Sequence, residues 1–198
     1  KMDRLDEESL TGIESEVDRL SRLVGDLLLL GQAESGKIAL NVVPVDLDSL
    51  LMDVHQQTER LVRPRVAIKI ADIEPVRVLG DPDRLKQVLI NLLSNAVQHT
   101  PTGGSVTLSL RQANARAQIV VSDTGNGIPA EDLPHIFERF YRSEKSRKRK
   151  PGGGFGLGLS ICYWIVRAHG GAIDVQSQEG AGTTFTVWLP IVPQDARR

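Results

Sequence analysis

The sequence predicts an α+β protein in which a two-layer α/β sandwich follows one long helix of the kind found in helix bundles. Three features predict this fold. Residues 1–36 place apolar side chains at heptad spacing, residues 37–193 alternate short runs of period two with longer amphipathic runs, and turn-forming residues separate these runs. We therefore expect two parts, a bundle-type helix within 1–36 and a sandwich domain within 37–193.

The first helix is predicted from apolar residues that lie alternately three and four positions apart. They are Leu10, Ile13, Val17, Leu20, Val24 and Leu27. A repeat of 3.5 residues is typical of the seam of a coiled coil or a four-helix bundle. The alternative is a surface helix that lies on the domain's own core, but Leu23, Leu28 and Leu30 widen the stripe and favour a bundle. Such a helix needs a helical partner.

The predicted sandwich opens with an edge strand over 37–43, which Pro44 closes. Asp46 is a suitable cap for a helix that runs to about residue 61. Alternating valine and isoleucine residues then predict two short strands, at 66–70 and 76–78.

A long helix over 83–99 is predicted because Asp81 and Pro82 supply a cap and a first-turn proline. The remaining predicted elements are strands at 106–110 and 119–121, a short helix at 133–141, a helix at 156–169, and strands at 172–177 and 183–189. Most of these strands are expected to pair antiparallel, because short turns join them.

Composition excludes some classes of protein. The formal net charge is -1, which gives no electrostatic argument for nucleic-acid binding, so no nucleic-acid partner is expected. The one cysteine, Cys162, cannot form an internal disulfide, fits a reducing compartment, and is expected to be a buried thiol. The longest apolar run at the first helix, residues 27–30, is far below the length of about 20 residues that a membrane helix needs. Because the pattern is already under way at Lys1, we expect a fragment of a longer protein.

Two asparagines on the long helix suggest a metal site. Asn91 and Asn95 lie four residues apart, so both amides project from one face. Neutral oxygens on a rigid helix can hold Mg²⁺ without cancelling its charge, and the ion completes its octahedron with waters and phosphate oxygens. Taken alone the pair is weak, since solvated or capping asparagines are commoner.

A second polar cluster, at residues 123–129, directly follows an apolar strand. Asp123 can accept a hydrogen bond from an exocyclic amine such as that of adenine, and Gly125 and Gly127 let the backbone approach a flat base. The alternative is a glycine turn stabilised by an Asx hydrogen bond.

A third cluster, the glycine-rich residues 152–158, leads into a helix. Such glycines expose backbone N–H groups at the positive end of the helix dipole, which suits a phosphate, whereas the alternative is a simple hinge. No Gly-Lys-Ser/Thr follows, and the spacing is not that of dinucleotide-binding proteins or protein kinases. Upstream lies a basic run, expected to be mostly a solvated loop in which only Arg142 contacts nucleotide: Arg142, Lys145, Arg147, Lys148, Arg149 and Lys150.

In this order the clusters resemble the sensor histidine kinases of the GHKL (Bergerat-fold) ATPase superfamily. The matching segments are an N box at 91–96, a G1 box at 123–127, an F box at 137–142, a G2 box at 154–159 and a last glycine turn at 180–185. The resemblance covers about residues 40–190, and the F box beside the G2 box favours a histidine kinase over chaperone, gyrase or mismatch-repair relatives. It implies an α/β sandwich that holds ATP under a lid at about 143–153. It also implies that the first helix is the second helix of a dimerisation and phosphotransfer hairpin.

The resemblance also implies roles for individual residues at a site for ATP and Mg²⁺. Asn95 would bind the metal and Asn91 would support the metal and phosphates. The other implied nucleotide-binding residues are His99, Asp123, Gly125, Gly127 and Ile128 near the base, Tyr141 and Arg142 flanking the nucleotide, Gly154, Gly156, Leu157 and Gly158 at the phosphates, and Thr184 in the last turn.

The expected function is transfer of the ATP γ-phosphate to a histidine outside this sequence, followed by relay to the receiver domain of a response regulator. No histidine here has the family's His-Glu motif, because His55, His99, His135 and His169 are followed by Gln, Thr, Ile and Gly. The parent is expected to be a homodimer anchored in a membrane, with this part on the cytoplasmic side.

One position departs from the family, and two other functions compete. Gln98 stands where many members carry a lysine or arginine that reaches phosphate, and Lys145 or Arg147 would have to replace that charge. A non-catalytic nucleotide-binding module is therefore one alternative. The other is a serine kinase of the anti-sigma type, which the heptad pattern of the first helix disfavours.

Overall fold

The computed structural model describes residues 2–34, 39–62, 65–143 and 155–192. These residues belong to two compact units, one within 1–38 and one within 39–198. The first unit consists of helix α1, Met2–Glu34. Within the described part of the chain, no helix combines the length and the apolar character that crossing a membrane requires.

Helix α1 exposes its heptad positions. The six seam residues Leu10, Ile13, Val17, Leu20, Val24 and Leu27 are between 43% and 61% exposed. The predicted helix is therefore present, and its apolar stripe stays open to solvent as a bundle helix without its partner would leave it.

The second unit is built on a mixed five-stranded sheet. Its elements are, in order, β1 Val43–Asp46, α2 Leu47–Val62, β2 Ala67–Ile73, β3 Arg77–Gly80, α3 Pro82–His99, β4 Ser105–Ala113, β5 Arg116–Asp123, a 3₁₀ turn Leu133–His135, α4 Gly158–Ala168, β6 Ala172–Gln178 and β7 Gly182–Pro190. The sheet order is β2-β4-β5-β7-β6, with β2 and β4 parallel and the other neighbours antiparallel.

Helices α2, α3 and α4 form the second layer on one face of this sheet. Strand residues on that face alternate with half-exposed ones, as Val121 on β5 and Phe185 on β7 illustrate. They meet apolar helix residues such as Leu92 and Ile161, which are fully buried. Cys162 is buried in this layer and forms no disulfide with the described residues. The predicted two-layer α/β sandwich is therefore confirmed.

The edge strand predicted at 37–43 is wrong in position. Residues 39–42 are not in a strand, residues 37 and 38 lie outside the described residues, and β1 starts at Val43 and runs through Pro44. Strand β1 pairs only with β3, with Val45 opposite Val78, and both side chains are buried. Burial of that valine pair fixes the register, and proline is tolerated because β1 is an edge strand.

The helix predicted at 133–141 is also wrong in extent. Only Leu133–His135 forms a 3₁₀ turn, after which the Glu138 N–H donates to the His135 carbonyl in a turn of the same tight kind. Phe140 then adopts φ +61°, a left-handed conformation that a right-handed helix cannot contain.

Asp81 caps α3 as the sequence predicts, and it does more. One carboxylate oxygen accepts the N–H groups of Asp83 and Arg84 at 3.1 Å, and the other accepts the N–H of Asn41 at 2.9 Å. The Asp81 N–H donates to Nε2 of His169 at 3.0 Å, and Nδ1 of His169 lies 2.8 Å from the carbonyl of Ile165 on α4. The start of α3 is thus tied to the end of α4.

Replacing Asp81 with alanine is expected to lower the free energy of unfolding by about 1–2 kcal/mol, because the cap of α3 is lost. Burial alone would raise the pKa of Asp81, but the three backbone N–H groups and the charge of Arg84 together lower it. A lowered folded-state pKa gives stability that is present above the ordinary value of 3.8 and is lost as pH falls through the folded value.

Urea unfolding of the alanine variant at neutral and acidic pH checks this expectation. The difference from the unaltered chain should shrink below pH 3.8. Asp83→Ala is the matched control, since Asp83 is exposed in the same turn and should change stability by less than about 0.5 kcal/mol. Equal losses in the two variants would contradict the capping role.

Candidate functional site

One face of α3 carries three polar residues at intervals of four. Asn91, Asn95 and His99 are half-buried, whereas neighbouring positions such as Leu92 and Ala96 are buried in the core. A helix places residues four apart above one another, so the three side chains form a row along the rim of the core. Asn95 lies in the middle of that row.

The start of α4 lies against the first residue of the row. The Asn91 side-chain amide donates to the carbonyl of Gly158 at 3.3 Å, and a Cβ added at Gly158 would be in ordinary van der Waals contact with the Asn91 amide, 3.7 Å from its Cγ. Leu157, the residue before α4, offers no side-chain cap, so the first N–H groups of α4 have no acceptor from that residue. Uncapped N–H groups at a helix start attract anions.

The end of β5 lies against the last residue of the row. The His99 carbonyl accepts the backbone N–H of Asn126 at 3.2 Å and its side-chain amide at 3.3 Å. Gly125 packs on the same carbonyl and on the Asp123 carboxylate. One end of the α3 row therefore contacts the start of α4, and the other end contacts the loop after β5.

Asp123 is a buried carboxylate, only 6% exposed. Its Oδ1 accepts the N–H of Gly125 at 2.8 Å. Burial raises the pKa of Asp123 above its ordinary value, although hydrogen bonds from the backbone of Gly125 and Thr183 and the nearby His99 ring oppose this shift. A buried acceptor with unused oxygen capacity can recognise a donor on a ligand.

Two glycines bring the loop after β5 and the β6–β7 turn close together. A side chain at either position would push the facing backbone away. Gly127 has φ +65°, and a Cβ there would lie 1.9 Å from the Gln178 carbonyl oxygen. Gly182 has φ +114°, and a Cβ there would lie 2.0 Å from the Asp123 carbonyl oxygen. The backbones of the loop and of the β6–β7 turn are therefore in direct contact beside Asp123.

Tyr141 and Gly156 lie together. The N–H of Phe140 donates to the Gly156 carbonyl at 3.0 Å, and the Gly156 Cα packs on the Tyr141 carbonyl. The Tyr141 hydroxyl donates to Asp132 at 2.5 Å, and this bond, with burial and nearby carboxylates, raises the pKa of Tyr141 to about 12. The F-box and G2-box segments thus meet at Gly156.

Thr184 and Leu157 are two residues to which the resemblance assigns a role at the nucleotide. Thr184 lies on the sheet face opposite to Asp123, where its hydroxyl is 2.8 Å from that of Ser122. Thr183 is the residue directly opposite Asp123, and it is 6% exposed. Leu157 is a buried core side chain, so only its backbone could meet a ligand.

The other predicted site residues lie partly within and partly outside the described residues. Ile128 is half-buried, and its N–H donates to the hydroxyl of Ser177 at 2.8 Å. Arg142 is half-buried, and Gln98 is exposed on α3. Gly154, Lys145, Arg147 and most of the expected lid lie outside the described residues.

Thr183 and Ser177 lie beside Asp123 in the structure although no sequence pattern points to them. The choice between the adjacent residues Thr183 and Thr184 depends on which one faces Asp123, and only the β5–β7 register decides that. Ser177 lies on β6, directly opposite Thr183 on β7. Only the pairing of β5, β6 and β7 shows that both residues lie beside Asp123.

Known proteins resemble this chain over most of its length. Residues 80–193 match the family described as "Histidine kinase-, DNA gyrase B-, and HSP90-like ATPase". The chain is 40% identical over 187 residues to the circadian input-output histidine kinase CikA of Synechococcus elongatus, an alignment that covers 92% of this chain and 25% of CikA. The chain spans less than half the length of the curated relatives it matches.

Solved structures of histidine kinases share the fold. Full-length ShkA, crystallised in complex with AMPPNP, superposes with a TM-score of 0.81 at 30% identity and covers 96% of this chain and 39% of its own. Histidine kinase ThkA, crystallised in complex with the response regulator protein TrrA, superposes with a TM-score of 0.70 at 27% identity and covers 92% of this chain and 50% of its own.

Proposed function

We propose that this chain is the ATP-binding catalytic part of a sensor histidine kinase. The chain belongs to the family of histidine kinase-, DNA gyrase B- and HSP90-like ATPases. It would bind ATP with Mg²⁺ and donate the γ-phosphate to a histidine outside residues 1–198. The observation that carries the proposal is the row on α3, which contacts Gly158 at Asn91 and the Gly125–Asn126 segment at His99.

The base would lie at the Asp123 end of this row. The carboxylate accepts the N–H of Gly125 in a loop whose glycines, Gly125 and Gly127, pack closely on the protein's own backbone. A carboxylate accepts from the exocyclic amine of adenine but repels the keto oxygen of guanine. His99, Ile128 and Tyr141 would flank the base, with Thr183 in place of Thr184.

The phosphates would lie at the other end of the row. The start of α4 at Gly158, which receives no side-chain cap from Leu157, would offer backbone N–H groups to them, and Arg142 would supply a positive charge. Asn95, between the two ends, and Asn91 are oxygen donors that fit Mg²⁺, which prefers oxygen ligands and keeps several waters. When bound, Mg²⁺ neutralises phosphate charge.

Transfer of a phosphoryl group needs positioning and charge stabilisation more than covalent chemistry from the protein. The residues of this chain would hold ATP with its γ-phosphate pointing away from the base. The nucleophile and its base would come from the phosphotransfer helix of the parent. The chain alone should therefore label itself weakly or not at all.

The proposed partners follow from the same arrangement. The exposed seam of α1 would pack in a phosphotransfer helix bundle of a homodimeric parent. The complex of ThkA with TrrA supports a response regulator as the recipient of the phosphoryl group. The parent would place this part on the cytoplasmic side of a membrane anchor, and the buried thiol of Cys162 agrees with a reducing compartment.

Labelled ATP and a separately supplied phosphotransfer hairpin test the proposal. The expected result is acid-labile label on the hairpin histidine and little label on the chain itself. Acid-stable label on a protein serine would favour the anti-sigma type of kinase. ATP binding without any transfer would favour a non-catalytic nucleotide-binding module, the alternative that Gln98 suggests.

Replacing Asn95 with alanine is expected to remove the Mg²⁺-dependent part of ATP affinity, because the metal loses its protein oxygen. We expect binding in Mg²⁺ to weaken about tenfold and binding in excess chelator to stay unchanged. Calorimetric titration with and without Mg²⁺ measures both values. Ser94→Ala is the control, since Ser94 is the exposed neighbour on α3. A Mg²⁺ effect that survives in Asn95→Ala would contradict the metal assignment.

A further inference from the structure

Three polar side chains form a row across the sheet beside the loop that follows β5. Asp123 on β5 lies directly opposite Thr183 on β7, and Thr183 lies directly opposite Ser177 on β6. Residues directly opposite one another in antiparallel strands share one face with Cβ atoms about 4.5–5.5 Å apart. The three side chains are therefore consecutive neighbours on the face that carries Asp123.

The Ser177 hydroxyl is fully used by the protein. It donates its proton to the Gly182 carbonyl at 2.9 Å and accepts the N–H of Ile128 at 2.8 Å. Its oxygen also lies 2.9 Å from the Thr183 hydroxyl oxygen. Because a serine hydroxyl has one proton and that of Ser177 points to the Gly182 carbonyl, the Thr183 hydroxyl is the group that can donate in this contact.

This bond network fixes the direction of the Thr183 hydroxyl. With its proton turned toward Ser177, the Thr183 oxygen can only accept hydrogen bonds from any other group. Asp123, the next residue in the row, is also an acceptor. A ligand at this end of the sheet therefore faces two hydrogen-bond acceptors. Such a site favours a ligand with a donor group, for example an exocyclic amine.

We propose that Ser177 is a positioning residue that sets base selectivity by holding Thr183 as an acceptor and by anchoring the loop at Ile128. This inference rests on the proposed function, because it assumes that the base of ATP lies at Asp123. Ser177 acts through Thr183 and Ile128, and it need not touch the nucleotide.

Ser177→Ala in the 198-residue chain tests the inference, with Mg²⁺-ATP and Mg²⁺-ITP as probes, since ITP has a keto oxygen in place of the amine. Freed from Ser177, the Thr183 hydroxyl can turn and donate to that keto oxygen. We expect ATP affinity to fall about tenfold and the ratio of ATP to ITP affinity to fall by a similar factor. Ser177→Thr, which restores the hydroxyl, should recover most of both.

Ser122→Ala is the matched control. It also removes a serine hydroxyl that contacts a threonine hydroxyl of β7, that of Thr184 at 2.8 Å, but Ser122 lies on β5 and on the opposite face of the sheet. Its ATP affinity and selectivity should equal those of the unaltered chain. If Ser177→Ala does not fold, Ser177→Cys keeps the volume with a weaker hydrogen-bonding group and should shift selectivity in the same direction.

The outcomes separate the two proposals. Unchanged selectivity in a folded Ser177→Ala or Ser177→Cys chain that binds ATP would overturn the role of Ser177 alone. Equal losses in the Ser177 and Ser122 variants would also overturn it, because they would reflect general loosening of the sheet. No ATP binding by the unaltered chain would overturn both this role and the proposed function.

Discussion

Replacing Asp123 with asparagine is expected to weaken ATP binding about 10- to 100-fold while it stabilises the folded domain at neutral pH. The affinity falls because a hydrogen bond from the base to a charged acceptor, worth about 1.5–3 kcal/mol, is replaced by an amide that can present its N–H₂ to the amine. The amide oxygen can still accept the Gly125 N–H, so the loop keeps its geometry.

The gain in stability follows from the direction of the pKa shift. Burial raises the pKa of Asp123 in the folded state above the ordinary value of 3.8. Between these two values the folded state binds more protons than the unfolded state, so stability falls as pH rises through this window. Asparagine has no charge to bury, so its advantage should grow over the same window and stay constant above it.

Calorimetric titration with ATP and urea unfolding between pH 4 and 8 measure the two effects. Asp174→Asn is the control, because Asp174 is an exposed carboxylate on β6 and its loss should change neither value. An Asp123→Asn chain with unaltered ATP affinity would show that the base lies elsewhere.

Replacing Gly127 with alanine is expected to abolish measurable ATP binding and to lower the free energy of unfolding by about 2–4 kcal/mol. A positive φ costs a non-glycine residue about 1–2 kcal/mol, and the new Cβ would lie 1.9 Å from the Gln178 carbonyl oxygen. The loop must move away from the β6–β7 turn, which displaces the backbone beside Asp123.

Gly180→Ala separates the two causes. Gly180 has φ +81°, but a Cβ there meets no atom within 4 Å. This control should lose only the cost of the positive φ, about 1–2 kcal/mol, and should keep its ATP affinity. Chemical denaturation and ATP titration of both variants decide the matter. If Gly127→Ala matched Gly180→Ala in both measurements, close packing of the loop would not support the site.

The sequence predicts well those parts of the molecule that local chemistry determines. The cap and proline at Asp81 and Pro82 place the start of α3 within one residue of its position in the structure, and the alternation on β4 and β5 agrees with their antiparallel pairing. The spacing of Asn91 and Asn95 on α3 likewise follows from helical geometry alone.

Properties that depend on tertiary pairing could not be predicted in the same way. The position of β1 follows from burial of Val45 against Val78, far away in the sequence. The short helix after Leu133 ends early because the segment turns to meet Gly156, where Phe140 takes a left-handed conformation. The choice of Thr183 over Thr184 depends on a strand register that single-sequence patterns do not contain.

We expect the α3 row, the Asp123 loop and the start of α4 to line one nucleotide site. NMR titration of the isotope-labelled chain with ATP, first with Mg²⁺ and then with paramagnetic Mn²⁺, tests it most directly. We predict that the amide signals of Gly125, Thr183 and Gly158 shift together at one saturating stoichiometry, and that Mn²⁺ broadens the Asn95 side-chain signal most. Shifts at Gly158 without shifts at Gly125, or Mn²⁺ broadening remote from Asn95, would contradict a single site.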